Sequence, residues 1–143
     1  MNTSNIKQIN RRIKIIREYL NTYSLDLHGL TIYTEAASGD YLYTPIICAL
    51  AGAEKVFTIT KDSQWGTANE IIKNTRAVAE RLDVDKIINY SYEKIPAHVS
   101  NADIIMNSGF VRPIDKETVS WMKPTAVVPL MWETWELRDW ELD

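Results

Sequence analysis

From residue 30 onward, the sequence alternates short β-branched runs with stretches that carry helix signals. The β-branched runs are typical of buried strands. They cover residues 30–34, 55–60, 86–90, 103–107 and 125–129. Strands separated by helices favour parallel pairing through right-handed crossovers. The sequence therefore predicts an α/β domain with a parallel sheet of about five strands.

Helix start signals stand between the predicted strands. Thr44 and Pro45 are typical of an N-cap followed by proline at the first helical position, which predicts a helix ending near residue 52. Thr67 and Glu70 form a capping-box pattern that predicts a helix to about residue 82. A further helix is predicted over residues 115–122.

The amino-terminal segment has the apolar spacing of a long amphipathic helix over residues 5–23. Its apolar positions are Ile6, Ile9, Ile13, Ile16, Leu20 and Tyr23. We expect this stripe to pack on the domain or on a second subunit, and a coiled-coil pairing is the alternative. Nucleic-acid binding is not favoured, because no aromatic platform or glycine motif accompanies the basic residues of this helix.

Length and composition fit one domain. A chain of 143 residues buries roughly 68% of its unfolded surface, which suffices for a core without cross-links. We divide it into an amino-terminal helix (1–26), an α/β core (27–130) and a tryptophan-rich segment (131–143). The single cysteine, Cys48, fits a reducing compartment, and no apolar run approaches the ~20 residues of a membrane span. We therefore expect a cytoplasmic protein without membrane contact.

The carboxyl-terminal segment holds three of the five tryptophans, Trp132, Trp135 and Trp140. Aromatic surface of this kind seldom stays in water. We interpret it as a contact surface for a second subunit or a further domain, with packing on this domain's own core as the alternative. Together with the amino-terminal helix, it predicts a homodimer.

The turn after the first predicted strand is the first candidate ligand site. It contains Ala37, Ser38, Gly39 and Asp40, and it leads to the helix that begins near Thr44. Backbone N–H groups and the helix dipole at such a turn bind phosphate or carboxylate, and glycine permits close approach. A purely structural turn is the alternative.

A second candidate site follows the fourth strand. Residues 102–109 read Ala-Asp-Ile-Ile-Met-Asn-Ser-Gly, and Met122-Lys123 and residues 126–128 follow. This pattern resembles the later half of the NAD-binding domain of S-adenosylhomocysteine hydrolases and D-2-hydroxyacid dehydrogenases. The resemblance implies a Rossmann-like three-layer domain in which Asn107, Ser108 and Gly109 lie over the cofactor.

The sequence departs from that family where the adenosine half would bind. Of the family's three-glycine turn only Gly39 is present. Thr60 stands where the family has the acidic residue that binds the ribose. Thr60 with Lys61 would tolerate a 2′-phosphate and favour NADP, whereas Asp62 would replace the acid and favour NAD.

A second resemblance involves the same turn. Glu35, Ser38-Gly39 and residues 51–56 resemble the opening of S-adenosylmethionine-dependent methyltransferases, in which an acidic strand end precedes a glycine loop. This resemblance implies S-adenosylmethionine as an alternative cofactor.

Candidate catalytic groups are few, and the catalytic residues remain unknown. The only histidines, His28 and His98, are expected in loops, and the spacing of cysteine and histidine fits no metal site. Arg112 would clamp a ligand carboxylate or phosphate, or else pair with Asp115 or Glu117.

The sequence thus favours an NAD(P)-type nucleotide-cofactor-binding domain of an oxidoreductase-like protein that lacks its substrate domain. A degenerate Rossmann scaffold serving as a non-enzymatic dimerisation or interaction module is the first alternative. A methyltransferase-like protein that binds S-adenosylmethionine is the second.

Overall fold

The computed structural model describes residues 3–129, which form a four-stranded sheet with five α-helices. The strands are β1 (Thr31–Glu35), β2 (Lys55–Ile59), β3 (Ile88–Ser91) and β4 (Ile104–Ile105). The helices are α1 (Thr3–Thr22), α2 (Thr44–Leu50), α3 (Ala68–Arg81), α4 (Pro96–Asn101) and α5 (Lys116–Trp121). The predicted α/β class and the long amino-terminal helix are confirmed.

All strand pairs in the sheet are parallel, and the spatial order is β3-β2-β1-β4. The predicted strand over residues 125–129 is reduced to a single parallel bridge between Val127 and Ile104. Two backbone hydrogen bonds, from Ile105 N–H to Val127 O and from Val127 N–H to Asp103 O, hold this bridge. Pro129 has no N–H group to continue such a ladder. The structure therefore shows four strands where the sequence predicted about five.

The two faces of the sheet carry separate apolar clusters. Ile32, Val56 and Ile88 are in register and pack with the residues of α1, α2 and α3. On the opposite face, Tyr33 and Ile105 are in register and pack with the residues of α4 and α5. This alternation follows from the two-residue side-chain period of a strand. Together these packed faces give a three-layer domain.

The apolar stripe of α1 packs on its own domain. Ile13 is buried, and Ile9, Ile16 and Leu20 pack against the same cluster. Tyr23 lies beyond the end of α1 and is exposed. The prediction that this stripe packs on the domain is confirmed for these four residues.

Two local features differ from the expectation at α2 and α4. Thr44 is the first residue of α2 and not its N-cap, because a 3₁₀-helix, Gly39–Tyr43, leads directly into α2. The Thr44 N–H group bonds to Tyr41 O and is not free for an anion. His98 lies in α4, not in a loop, and its ring stacks on Phe57 with 4.1 Å between ring centroids. Burial there lowers the pKa of His98.

Within residues 3–129, no helix combines the length and the apolar character that a bilayer span requires. Trp132, Trp135 and Trp140, with the contact surface predicted for residues 131–143, lie outside the described residues.

Asp103 connects the start of β4 to β1. Its carboxylate accepts a hydrogen bond from Thr31 N–H at 2.7 Å and is paired with the Lys123 ammonium. The Lys123 side chain and the Thr31 N–H group both favour the ionised form and lower the pKa of Asp103. The carboxylate is about one-third exposed, so solvent only partly screens these contacts.

We expect Asp103→Asn to destabilise the fold by about 1–2 kcal/mol at neutral pH, because hydrogen bonds to charged groups are the stronger ones. Since the pKa of Asp103 is lowered by folding, its contribution is present above the ordinary value of 3.8 and is lost as pH falls through the folded-state pKa. Urea unfolding at pH 7 and at pH 3 measures both effects, with Asp83→Asn at an exposed turn as the control. An equal loss at the two pH values would contradict the assignment.

Candidate functional site at the carboxyl edge of the sheet

Parallel pairing brings the residues that follow β1, β2 and β4 to one edge of the sheet. From β1 the chain continues to β2 and β3 on one side, and it later returns to β4 on the other side. The strand order therefore reverses at β1. In open α/β sheets, ligands bind in the crevice outside the carboxyl ends of the strands at such a reversal.

A pocket of about 430 Å³ lies between the turn after β1 and the loop after β2. Ala37, Ser38 and Gly39 line it from the turn, and Trp65 and Gly66 line it from the loop. Gly39 has a φ of +68° with open space where a side chain would begin. A backbone in that conformation lies close to the pocket without a side chain between them.

The three predicted ligand residues in the loop after β2 differ in their exposure and contacts. Thr60 is fully buried, so its side chain does not reach a ligand in the pocket. Asp62 accepts a hydrogen bond from Ala68 N–H at 2.7 Å and so caps α3, whereas Lys61 is exposed. Neither residue is therefore placed as the expected ribose ligand: Thr60 is buried, and Asp62 is bonded to α3.

The turn after β1 is held by α1. Arg12 Nε donates to an Asp40 carboxylate oxygen at 2.6 Å, and the Arg12 guanidinium lies over the Tyr43 ring. The pairing occupies one oxygen of Asp40 and fixes α1 against the turn. Arg12, one of the basic residues of α1, is thus paired with a carboxylate of its own domain.

Polar residues also follow β4, on the other side of β1. The Arg112 guanidinium donates to the side-chain oxygen and to the carbonyl oxygen of Asn107, both at 3.0 Å. Ser108 Oγ is buried and has no hydrogen-bond partner in the described structure. Asp115 caps α5 by accepting from Thr118 N–H at 2.8 Å, which lowers the pKa of Asp115.

Glu35, the last residue of β1, is buried against the turn that follows β4. Its side chain is 3% exposed, and its carboxylate accepts a hydrogen bond from Phe110 N–H at 2.7 Å. Gly109 lies directly against it, so that a Cβ at Gly109 would stand 1.9 Å from Glu35 Oε2. A buried carboxylate requires donors of this kind. On the β4 side of the strand reversal, a buried carboxylate is thus bonded to the backbone of the next turn.

The predicted site residues accordingly fall into two groups. Ala37, Ser38 and Gly39 share the pocket with the loop after β2. Asn107, Ser108 and Gly109 lie on the β4 side of β1, where Gly109 contacts Glu35. The sequence interpretation missed Trp65, Glu70, Lys73 and Asn74 in the pocket. Trp65 could have been predicted as a ligand residue, because it is a tryptophan next to a glycine in an otherwise polar strand-to-helix loop.

Two other grooves of comparable size lie on the surface of α3. One, of about 500 Å³, runs between α1 and α3, and the other, of about 540 Å³, lies between α3 and the β3 edge. Neither is lined by a residue of the turn after β1 or of the segment after β4. Among residues 3–129, no group of three or more His, Cys, Asp or Glu side chains is arranged to hold a metal ion.

The sequence matches no family model and no curated protein. Among solved structures, it is similar to shikimate 5-dehydrogenase from Listeria monocytogenes in complex with shikimate and NAD, with a TM-score of 0.53 and 12% identity over 78% of this chain and 41% of that chain. The fold is Rossmann-like.

Aspartate transcarbamoylase from Trypanosoma cruzi is also similar, with a TM-score of 0.48 and 14% identity over 81% of this chain and 42% of that chain. A putative aspartate carbamoyltransferase from Leishmania major has a TM-score of 0.47 and 15% identity over 71% of this chain and 37% of that chain. The chain spans less than half the length of each of these three proteins.

We expect Gly109→Ala to destabilise the fold by about 2 kcal/mol or more, because the new methyl group displaces the Glu35 carboxylate or forces the turn after β4 to move. The same substitution should cost less in a Glu35→Ala background, where the clash is absent. Urea unfolding of the four proteins of this double-mutant cycle measures the coupling. Additive effects would show that Gly109 and Glu35 are not in contact.

Proposed function

We propose that this chain is an NAD(P)-type nucleotide-cofactor-binding domain of an oxidoreductase-like protein. The adenosine half of the cofactor binds in the pocket between the turn after β1 and the loop after β2. One observation carries the proposal: two segments that follow adjacent parallel strands together line a pocket on the β2 side of β1, next to the strand reversal.

The size of the pocket fits one half of a dinucleotide. Small-molecule sites usually enclose about 300–1,000 Å³, and 430 Å³ lies near the lower limit. Gly39 allows the backbone to approach a phosphate, and the Ser38 side chain makes no capping hydrogen bond that would occupy it. The similar shikimate dehydrogenase was solved in complex with NAD, which supports a nucleotide cofactor for a domain of this fold.

The choice among NAD, NADP and S-adenosylmethionine depends on parts of the ligand other than adenosine, which all three contain. A nicotinamide would extend past β1 toward Asn107 and Ser108, as the resemblance to S-adenosylhomocysteine hydrolases and D-2-hydroxyacid dehydrogenases implies. For a 2′-phosphate, Lys73 is the cation in the pocket lining, and Lys61 is an exposed cation in the loop after β2. S-adenosylmethionine is the alternative cofactor. Glu35, the acid of that resemblance, is buried and bonded to Phe110.

A non-enzymatic interaction module is the second candidate, and the internal hydrogen bond on the β4 side favours it. The Glu35 carboxylate is committed to Phe110 N–H and lies against Gly109, next to the residues to which the second half of a dinucleotide would extend. We also propose a homodimer in which α1 takes part, because Ile15 and Tyr19 remain exposed beside the packed stripe of that helix. The tryptophan-rich segment would complete that contact.

We expect saturable binding of NADH, NADPH or S-adenosylmethionine in calorimetry, and a loss of at least about tenfold in affinity for Gly39→Val, because a branched side chain there projects into the pocket. Gly29→Val is the matched control. Gly29 has a φ of +73°, and it too has open space around the added Cβ, so both variants carry similar backbone strain.

Binding of none of the three cofactors would contradict the proposed function and favour the interaction module. Equal affinity of the two glycine variants would place the cofactor outside the turn after β1. Circular dichroism of both variants checks that the fold is retained.

A further inference from the structure

Trp65 is an exposed indole at a position where a solvated aromatic ring is unexpected. It is 75% exposed in the loop between β2 and α3. Tryptophan combines a large apolar surface with one N–H donor, and such surface usually contacts a ligand or a partner. Nothing in the packing of the domain accounts for its position, since neither apolar cluster contains it.

The loop holds Trp65 in a fixed position. Ser63 and Gly66 exchange two backbone hydrogen bonds of 3.0 and 3.3 Å, which close a tight turn with Trp65 at its tip. Ser63 Oγ accepts a further bond from Trp65 N–H at 3.1 Å. Asp62 before the turn and Thr67 after it both cap the start of α3. Because the backbone at Trp65 is already ordered, a ligand has to order only the two side-chain torsions of the indole.

The pocket beside Trp65 is concave and has both apolar and polar lining residues, which suits a nucleoside better than a flat protein surface. The ring lines a concave pocket with an apolar floor from Leu42 and Ile71. Three polar side chains complete the wall from one face of α3, since positions i, i+3 and i+4 of a helix are neighbours. They are Glu70, Lys73 and Asn74.

Glu70 supplies a charged acceptor in this wall. The hydroxyl and N–H groups of Thr67 bond to its carboxylate and lower the pKa of Glu70. Asn74 offers both an amide donor and a carbonyl acceptor. Sugar hydroxyls and the edges of a base require this mixture of donors and acceptors, whereas an apolar ligand would leave these groups unpaired.

We propose that Trp65 is the stacking platform for the adenine base, with the ribose hydroxyls directed to Glu70 and Asn74 on α3. This inference rests on the proposed function and assigns its adenosine subsite. It moves base and ribose recognition from the end of β2, where Thr60 is buried, to the strand-to-helix loop and the first two turns of α3.

The test uses 5′-AMP and nicotinamide mononucleotide as probes of the two halves of a dinucleotide. The intact chain should bind AMP with quenching of tryptophan fluorescence. We expect Trp65→Ala to weaken AMP binding about 5- to 150-fold, the range for loss of one base–aromatic stack. Trp65→Phe should retain most of the affinity in calorimetry while losing the quenching. Nicotinamide mononucleotide binding, where detected, should be unaffected by either variant.

Tyr23→Ala is the matched control, because Tyr23 is 73% exposed and lies beyond the end of α1, outside the pocket. It should bind AMP as the wild type does. Both aromatic rings are on the surface, so neither variant should change the circular dichroism or the unfolding midpoint appreciably.

The two proposals fail in different ways. If AMP or a full cofactor binds and Trp65→Ala binds it equally well, the stacking platform is overturned and the proposed function stands. Retained quenching in Trp65→Phe overturns the platform as well. If the wild-type chain binds neither AMP nor any of the three cofactors, the platform and the proposed function are both overturned.

Discussion

The position of β1 between β2 and β4 governs the rest of this structure. Both neighbours pair with it in parallel, so the chain must cross over from every strand end before it returns to the sheet. The connecting helices α2 and α3 lie on one face together with the amino-terminal α1, and α4 and α5 lie on the other. The crossovers also bring the four strand-to-helix connections to one edge of the sheet. Every candidate ligand contact discussed above depends on that arrangement.

Glu35 divides this edge into two unlike halves. On the β2 side, the backbone at Gly39 and the ring of Trp65 leave a pocket. On the β4 side, the Glu35 carboxylate accepts from Phe110 N–H, and Gly109 has no space for a side chain. A buried carboxylate without donors would cost several kcal/mol, so this hydrogen bond stabilises the turn after β4 as well as Glu35 itself. The β2 side therefore offers a pocket, whereas the β4 side holds an internal hydrogen bond of the fold.

Local signals in the sequence were sufficient for most of the elements. The apolar period of α1 and the capping box of α3 are short-range patterns, and the structure reproduces both. Short elements were harder to predict. The six-residue α4 has no full apolar period, and β4 has only two residues. The predicted fifth strand ends at a proline and forms one bridge. The 3₁₀-helix before α2 also displaced the expected N-cap from Thr44 to Tyr43.

The sequence predicted the parts of the candidate site that directly follow a strand, because the segments after parallel strands meet at one edge of the sheet. The turn at Gly39 after β1 and Asn107 after β4 are such parts. The contact of Glu35 with Gly109 spans more than seventy residues of sequence, as does its hydrogen bond to Phe110. No sequence pattern in either segment predicts these contacts. The burial of Thr60 and the exposure of Trp65 likewise depend on how the loop after β2 folds onto α3.

The most direct test of the account is a map of nucleotide binding on the backbone amide resonances of the isotope-labelled chain, titrated with NADH. The account predicts that the shifted resonances concentrate in residues 37–42 and 62–74, the two segments that line the pocket. Shifts centred on the groove between α1 and α3, or an unchanged spectrum at saturating NADH, would contradict it.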